Sequence, residues 1–465
     1  MSYHLKKRNT SMIAVILTLA WPTMLEQLMQ TAVQYIDTAM VGTLGTQATA
    51  AVGATSTVSW VVGSSISALG IGFLSFIARA NGAGERDAAK RASAQAALTV
   101  AVTGALFTVL CIGLADIIPV WMQVDSSIQS LTSRYFAILY APMLFRTATT
   151  VFGMVLRAAG DTRTPMKIGV GVNIINVILN FLLIYPCRSI RIFGLQLPMI
   201  GAGLGVIGAA IASAIAFMVG GIWITIVLWR HPDVSPRGQK FTPDTEILRP
   251  CLKVALPNML QRFGTSLGYV AFASMVNSIG EIATAAHTIA NTVESAFYIP
   301  GYGMQTAAAT LAGNAYGAND SKRMKELGNM FLPIEVVLMI LSGGALFAFA
   351  PYLVDLFSDS SQVIELGATV LRMVALSEPF YGVSIIVEGM MQGVGKTKTP
   401  FVYNIIGMWG IRIIGTYICT QHLNMGLVAA WGCMIAHNML LFILFLFTYL
   451  TGKWNPIADV KRANP

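Results

Sequence analysis

Long apolar stretches separated by short polar segments run through the whole chain. Crossing about 30 Å of hydrocarbon takes roughly 20 apolar residues in a helix, and twelve stretches reach that length. They lie at about 12–42, 48–78, 92–122, 130–156, 166–186, 203–229, 250–278, 282–312, 327–354, 364–392, 401–420 and 425–451. The pattern predicts an all-α polytopic membrane protein with twelve transmembrane helices, six in each half.

The same residue pattern occurs twice, 235 positions apart. The residues that break helices or form turns in the first half reappear at that offset in the second. The matched pairs are Pro22 with Pro257, Gly45 with Gly280, Gly82 with Gly317, Gly160 with Gly395 and Pro165 with Pro400. Because six spans is an even number, both halves enter the membrane in the same direction, so the repeats are parallel. We predict an N-lobe at 1–228, a cytoplasmic linker at 229–246 and a C-lobe at 247–465.

Composition and charge are those of a membrane protein. Charged residues are 11% of 465 positions and apolar residues 55%, against roughly 25% and 45–50% in soluble domains. The net charge of +9 could suit nucleic acid, but most of the 30 Lys and Arg residues lie in segments on the side of the N-terminus. The positive-inside rule then places both termini in the cytoplasm. We expect a monomeric, multi-pass protein of the bacterial inner (plasma) membrane, with lipid as its surroundings and no nucleic acid partner.

Residues typical of catalytic or metal centres do not cluster in the sequence. The five cysteines have no CxxC spacing, and the five histidines are isolated. The segment from Gln392 to Thr397 resembles a phosphate-binding loop, but that motif requires glycine at the position of Met390. The sequence therefore predicts no enzyme, no cofactor and no resident metal, and uphill transport would have to use an ion gradient.

Acidic and amide side chains inside the spans are the candidates for function, because such groups persist in a membrane mainly where they face a cavity or a partner. Asp37 in the first span is the leading candidate. Three more residues of that helix are candidates for binding substrate or lining a cavity: Glu26, Gln30 and Gln34. Glu26 lies about 16 Å nearer the cytoplasm than Asp37. It could alternatively pair with a buried arginine such as Arg146 or Arg262.

Asparagines of the fifth span form a second polar stripe, at Asn173, Asn176 and Asn180. Spacings of three and four residues place all three on one helix face. Amides in hydrocarbon often bridge helices, and that simpler role remains open for at least one of them. Asn180 lies near the outer end of its span, as Asp37 does, and we predict a hydrogen bond between the two.

The second half carries different polar residues. Its candidates for lining a cavity are Glu294, Glu378 and Gln261, whereas Glu335 is expected near a lipid or interface boundary. At the offset of 235, Asp37 overlays Phe272 and Asn180 overlays Gly415. The scaffold is repeated, but these polar residues are not. This difference predicts that an ion site at Asp37 would belong to the N-lobe alone.

Several motifs, taken in order, resemble the multidrug and toxic compound extrusion (MATE) transporters over about residues 12 to 450. They are Pro22 with Glu26-Gln27-Leu28, Asp37-Thr-Ala-Met-Val-Gly42, Arg157-Ala-Ala-Gly-Asp-Thr-Arg-Thr-Pro165, and Pro300-Gly-Tyr-Gly303 followed by Gly317-Ala-Asn-Asp320. The resemblance implies two six-helix lobes around a V-shaped cavity, and export of organic, often cationic compounds in exchange for H⁺ or Na⁺. It also makes Asp37 the ion-coupling residue and Asn180 its contact. Ile184 stands where some members have a further acid, which weakens a Na⁺ site.

We therefore predict a secondary antiporter for amphipathic cations, with H⁺ or Na⁺ binding at Asp37 and the three asparagines assisting. A lipid-linked oligosaccharide flippase of a related superfamily is the alternative, and it should have a strongly cationic cavity. Only four arginines in the spans could supply that charge: Arg146, Arg262, Arg372 and Arg412.

Overall fold

The computed structural model describes residues 12–122, 124–192 and 195–457. The first half contains α1 (Met12–Gly42), α2 (Thr46–Ala83), α3 (Arg86–Gly113), α4 (Ile118–Trp121), α5 (Ser126–Tyr140), α6 (Met143–Ala158), α7 (Arg163–Ile184), β1 (Pro186–Ile192), β2 (Leu195–Ala202) and α8 (Gly205–Arg230). The second half contains α9 (Thr245–Asn277), α10 (Glu281–Gly317), α11 (Ser321–Asp355), α12 (Ser361–Ala375), α13 (Glu378–Gly393), α14 (Lys398–Ile405), a π-helical segment (Ile406–Ile413), α15 (Ile414–Tyr417), a second π-helical segment (Ile418–His422) and α16 (Leu427–Leu450).

Among the described residues, eight helices are long and apolar enough to cross a membrane. Two bent pairs raise the number to ten if each pair is one span: α5 with α6, bent by 47°, and α12 with α13, bent by 53°. The other two predicted spans coincide with α9 and α10, which have 33 and 37 residues but are not among the helices apolar enough to cross a membrane. The all-α polytopic fold is confirmed, while the count of twelve stays a prediction.

Helix boundaries repeat at the offset found in the sequence. Helices α2, α3, α5, α6 and α7 begin at residues 46, 86, 126, 143 and 163, and their counterparts begin at 281, 321, 361, 378 and 398. The connecting turns repeat as well, because Gly84 and Asn319 are equivalent and both have positive φ. Asparagine tolerates this left-handed conformation better than most residues other than glycine. The turns therefore fix the helix lengths in both halves.

The two halves differ after the fifth span. In the first half, β1 and β2 pair as an antiparallel hairpin, with Ile192 opposite Leu195 and Arg188 opposite Met199. In the second half, α16 follows the π-helical segment after only a short connection. The hairpin makes this loop longer in the first half than in the second.

The described residues form two compact units. Unit 1 contains residues 26–73 and 86–248, and unit 2 contains residues 12–25, 74–85 and 249–457. The core of unit 2 packs the beginning of α1 against α10, α11, α13 and α16, with Ile16, Phe331 and Phe445 fully buried. The lobe limits predicted from the sequence remain a prediction.

Candidate functional site

Within unit 1, the half-buried Asp37 of α1 meets two asparagines of α7. The Asn180 amide nitrogen donates to Asp37 Oδ1 over 2.6 Å, and it lies 3.2 Å from Asn176 Oδ1. Asn180 is 1% exposed and Asn176 is 6% exposed. Hydrogen bonds to an ionised group are short and strong, so this arrangement holds Asp37 in a fixed position. The predicted contact between Asp37 and Asn180 is present, and its role in ion coupling stays a prediction.

Close packing of α8 on α7 adds a hydroxyl group to the site. At Gly208, a Cβ atom would lie only 2.5 Å from the carbonyl oxygen of Leu183, so glycine is needed for this approach. The contact brings α8 close enough for Ser213 to meet Asn176, with the Ser213 oxygen 3.1 Å from the Asn176 amide nitrogen. Small residues at such contacts are typical of packed membrane helices.

The Asn176 amide can be oriented in two ways, and only one of them satisfies an ionised Asp37. In one, its nitrogen donates to the Ser213 hydroxyl. In the other, the nitrogen lies 3.0 and 3.1 Å from the two carboxylate oxygens of Asp37, and the amide oxygen accepts from Ser213 at 3.1 Å. An ionised carboxylate only accepts and therefore needs the nitrogen, whereas a protonated one has a donor for the oxygen. The geometry thus suits both charge states of Asp37.

Asn180 has an acceptor left over, since its Oδ1 is buried and has no hydrogen-bond partner among the described residues. Leaving such an atom unsatisfied costs about 1–3 kcal/mol, so a proton donor or a cation beside Asp37 would be favourable. Over the same residues, no group of three or more His, Cys, Asp and Glu could hold a metal ion. Any ion bound here would rely on one carboxylate and its amides.

The remaining candidates of unit 1 lie apart from this group. Asn173 is half-buried and forms no hydrogen bond within the described part of the chain, and both Gln30 and Gln34 are exposed. Their predicted roles stay predictions.

Glu26 forms an ion pair with Arg157. The Arg157 Nη2 atom lies 2.7 Å from Glu26 Oε1 and 2.6 Å from Oε2, with side chains 12% and 22% exposed. The suggested pairing with Arg146 or Arg262 is therefore wrong. The guanidinium of Arg146 instead lies over the ring of Phe217, 5.1 Å from its centroid.

Unit 2 contains a second polar network around Glu388, a residue that was not among the candidates from the sequence. Glu388 Oε1 accepts from Gln261 Nε2 over 2.9 Å and from Gln392 Nε2 over 3.0 Å. Its other oxygen accepts from Asn404 over 3.2 Å. Gln261, predicted to line a cavity, therefore belongs to a network of three amides around one carboxylate.

The two networks occupy equivalent positions in the duplicated chain. At the offset of 235, Gln261 is the counterpart of Glu26 and Gln392 is the counterpart of Arg157. An acid and a base in one half are thus replaced together by two amides in the other. This joint replacement is a signal in the sequence that could have identified the pair.

The two acids predicted to line a cavity from the second half are buried inside unit 2. Glu294 is 6% exposed and Glu378 is 2% exposed, and their cavity role stays a prediction. Glu335 is 0% exposed, so the expectation that it lies near a lipid or interface boundary is wrong. It faces into a helix junction because α11 packs on α10, α12 and α13.

The long apolar helices, repeated in both halves, place the chain among the polytopic membrane proteins. The profile of the MatE family matches residues 22–182 and again residues 257–418. The chain therefore belongs to the MatE family, the MATE transporters that its motifs resemble. The two matches begin 235 residues apart, which is the offset of the duplication.

Curated relatives and solved structures extend over nearly the whole chain. The probable multidrug resistance protein NorM of Thermotoga maritima is 28% identical over 448 residues, covering 96% of this chain and 94% of its own. The probable multidrug resistance protein YpnP of Bacillus subtilis is 26% identical, covering 84% of each. A MOP superfamily transporter from Pyrococcus furiosus, described with a binding pocket of reverse polarity, is 25% identical with a TM-score of 0.86 over 96% of both chains. A MATE protein in complex with MaD3S, 23% identical with a TM-score of 0.88, shows the shared fold.

Proposed function

We propose that this protein is a secondary antiporter that exports organic, amphipathic cations across the bacterial inner membrane in exchange for H⁺ or Na⁺. It acts as a monomer with both termini in the cytoplasm, and the coupling ion binds at Asp37. The observation that carries the proposal is the set of amides around this carboxylate, in which Asn176 suits both of its charge states. A coupling site needs partners that suit its carboxylate both with and without the ion, because the site must bind the ion and also release it.

In the ionised state, Asp37 accepts a hydrogen bond from Asn180 and another from the Asn176 nitrogen. The Asn176 oxygen then accepts from the Ser213 hydroxyl. Every polar group except Asn180 Oδ1 has a partner of the right kind in this arrangement. Asp37 is then ready to take up an ion.

Protonation reverses the direction of the hydrogen bonds between α7 and α8. Asp37 becomes a donor, the Asn176 oxygen turns toward it, and the Asn176 nitrogen donates to Ser213. Ser213 thereby changes from donor to acceptor, so a charge change on α1 reaches α8 through one amide. Na⁺ would act differently, since it needs oxygen ligands, of which Asp37 and the unpartnered Asn180 Oδ1 supply some.

The arginines of the spans bear on the flippase alternative, which needs free cationic groups. Three of the four guanidinium groups lie over aromatic rings and the fourth is hydrogen-bonded to an amide. They are Arg146 over Phe217, Arg372 over Phe347, Arg412 over Tyr269 and Phe272, and Arg262 with Asn258. All four guanidinium groups are thus engaged by the protein, and the relatives named as multidrug resistance proteins support drug export rather than lipid flipping.

The test uses purified protein in liposomes loaded with a fluorescent lipophilic cation, with a pH gradient or a Na⁺ gradient imposed separately. We expect one of the two gradients to drive the cation against its own concentration gradient. Movement that responds to neither ion would contradict the antiport proposal. Susceptibility of a pump-deficient strain to a broad drug panel is the companion assay, and no gain of resistance would favour the flippase.

A further inference from the structure

Two cysteines of unit 2 lie side by side on neighbouring helices. Cys419 belongs to the second π-helical segment (Ile418–His422), and Cys433 lies in the second turn of α16. Their Sγ atoms are 3.9 Å apart, and both thiols are free. A disulfide joins sulfurs about 2.05 Å apart, so rotation of the side chains has about 2 Å to close. The two thiols are therefore placed to form a bond between these helices.

A glycine leaves the space that the pair occupies. A Cβ atom at Gly415 would lie 3.1 Å from the Cys433 sulfur and 3.5 Å from the Cys433 Cβ. Gly415 precedes Cys419 by four residues, so both face α16 from the same side of their span. Because Gly415 has no side chain, the Cys433 sulfur lies against the neighbouring helix and reaches Cys419.

The connection after the π-helical segment holds Cys419 in position. Its carbonyl oxygen accepts a hydrogen bond from the Met425 backbone nitrogen over 2.8 Å. The Gln421 amide donates to the Ser278 hydroxyl over 2.8 Å, directly after the end of α9. The π-helical segment is therefore already attached to the end of α9, and a bond to Cys433 would attach it to α16 as well.

Packing alone does not account for the pair. At the offset of 235, the counterpart of Cys419 is Ile184, which is 1% exposed. The repeated scaffold thus accepts an apolar side chain at this position. Cys419 and Cys433 are instead only half-buried, and each lies near the end of its helix where a short connection joins the two. Their sulfurs are consequently not sealed in the core.

The side of the membrane on which the pair lies supplies an oxidant. With both termini in the cytoplasm, the connection between Cys419 and Cys433 is on the outer side. Disulfides form and persist in the bacterial periplasm and are rare in the cytosol. Only this source of oxidant rests on the topology of the proposed function, whereas the proximity of the two thiols does not.

We propose that Cys419 and Cys433 form a reversible disulfide that fixes the second π-helical segment to α16. The oxidant is a disulfide of another protein or of a small thiol compound. One cysteine thiolate attacks a sulfur of that disulfide, which forms a mixed disulfide and expels one thiolate. The other cysteine thiolate attacks the mixed disulfide, which forms the bond between Cys419 and Cys433 and expels the second thiolate. The oxidant is thereby reduced to two thiols, which take up the two protons that the cysteines lose.

The bond restrains a part of the span with unusual geometry. π-Helical turns are rare and occur mostly at functional sites, and both π-helical segments of this protein lie between Ile406 and His422. Oxidation joins the second of them to α16, while Gln421 joins it to the end of α9. Movements of these helices relative to one another should therefore be slower in the oxidised protein. This control of transport goes beyond the proposed function, because neither thiol takes part in ion binding.

Peptide mapping of the full-length protein in lipid nanodiscs tests the bond directly. The protein is incubated with oxidised glutathione, remaining thiols are alkylated, and a non-reduced chymotryptic digest is analysed by mass spectrometry. We expect two peptides joined through Cys419 and Cys433, which dithiothreitol separates. Cys251→Ala should keep this link and Cys433→Ala should lose it. Wild-type protein in which both residues are alkylated, or carry only glutathione, would overturn the proposal even if Cys433→Ala failed to fold.

Hydrogen exchange tests whether the bond fixes the segment. The backbone amides of residues 418–426 should exchange about five- to tenfold more slowly after oxidation, because local opening governs their exchange, and should recover after reduction. Ion-driven transport in liposomes should fall and recover with the same treatments, and Cys433→Ala should respond to neither. Complete cross-linking that leaves both exchange and transport unchanged would overturn the proposal, since the bond would then restrain nothing.

Intact cells separate this site from the proposed function. A membrane-impermeant phosphine reductant should open the link in wild-type protein, and the same link should form in Asp37→Asn whatever that variant does to antiport. A link that only a permeant reductant opens would contradict the outward position assumed in the proposed function and would still support the disulfide. Absence of the link both in cells and after added oxidant would overturn the disulfide and leave the proposed function unaffected.

Discussion

The surroundings of Asp37 in unit 1 differ sharply from the equivalent place in unit 2. Asp37 is a carboxylate held by asparagines, whereas its counterpart Phe272 is 1% exposed and lies under the guanidinium of Arg412, 4.3 Å from the ring centroid. The counterpart of Asn180 is Gly415, where a Cβ would approach the Cys433 sulfur to 3.1 Å. Helix boundaries and turns are thus shared. The negative charge of Asp37, however, has as its equivalent in unit 2 an aromatic ring beside the positive charge of Arg412.

A second pair of equivalent regions retains its polarity but redistributes the charge. In unit 1, Glu26 is neutralised by Arg157 at 2.6 Å. In unit 2 the corresponding residues are amides, and both donate to Glu388. Duplication preserved the need for a polar junction between these helices, although the residue that carries the negative charge moved from the first helix of the repeat to another helix.

The largest effect is expected at Asp37. Asp37→Asn removes the charge but keeps the shape, so ion-driven export should fall by roughly 5- to 150-fold, the range of typical coupling free energies. Accumulation of a fluorescent cation in a pump-deficient strain checks this, at expression levels matched by immunoblot. Phe272→Leu, at the equivalent position of unit 2, is the control and should retain export. Equal export by Asp37→Asn and wild type would show that the asymmetry has no role in coupling.

The next largest effect is expected from separating the ion pair of unit 1. Glu26→Gln or Arg157→Gln alone leaves one poorly solvated charge, and we expect a loss of about 2–4 kcal/mol in stability, somewhat below the cost of breaking a fully buried pair. The double variant reproduces the residues of unit 2 and should recover part of the loss. Thermal unfolding in detergent measures all three. Additive losses in the double variant would mean that the two side chains do not stabilise each other.

A smaller effect is expected at Ser213, which is connected to Asp37 through the Asn176 amide. Ser213→Ala removes one neutral hydrogen bond, worth about 1 kcal/mol, and should slow ion-driven transport about fivefold while binding of substrate changes little. Thr225→Val is the control, because the Thr225 hydroxyl on the same helix donates to the Gly221 carbonyl within its own helix. Equal rates for the two variants would remove Ser213 from the coupling pathway.

The smallest effect is expected for Asn319→Gly, in the turn shared by both units. Gly84 has φ 78° and Asn319 has φ 52°, so Asn319→Gly should change stability by only a few tenths of a kcal/mol. Gly84→Ala should cost about 1–2 kcal/mol, because alanine is strained in the left-handed region. No neighbouring atom lies within 4 Å of a Cβ at Gly84, which leaves backbone strain as the cause. Unfolding temperatures compare the two, and a larger loss at residue 319 would show that the turns are not equivalent.

Much of the fold follows from apolar stretches and from glycine and proline at fixed spacing. Both are local properties of the chain, so the helices that begin at 126 and 163 are predictable within a few residues. The contact between Asp37 and Asn180 is predictable too, because each is a polar residue near the outer end of an apolar span. The bend between α5 and α6 is suggested by Pro142, which lacks a backbone donor.

Other parts of the site depend on packing that the sequence does not reveal. Arg157 directly follows the predicted span at 130–156, yet its long side chain reaches back to Glu26, as flexible basic side chains do. The burial of Glu335 is not predictable from the sequence, because lipid-facing and buried positions of a span are both apolar. Periodicity therefore does not separate them. Ser213 meets Asn176 only because Gly208 allows α8 to approach α7.

The decisive measurement separates ion coupling from substrate movement in Asp37→Asn. Liposomes containing the wild-type or the variant protein are assayed for cation accumulation driven by an imposed ion gradient, and for exchange of labelled cation at equal concentrations without a gradient. We expect the variant to retain exchange and lose gradient-driven accumulation, since only the ion site of unit 1 is removed. Gradient-driven accumulation at the wild-type level in Asp37→Asn would contradict the assignment of the coupling ion to Asp37.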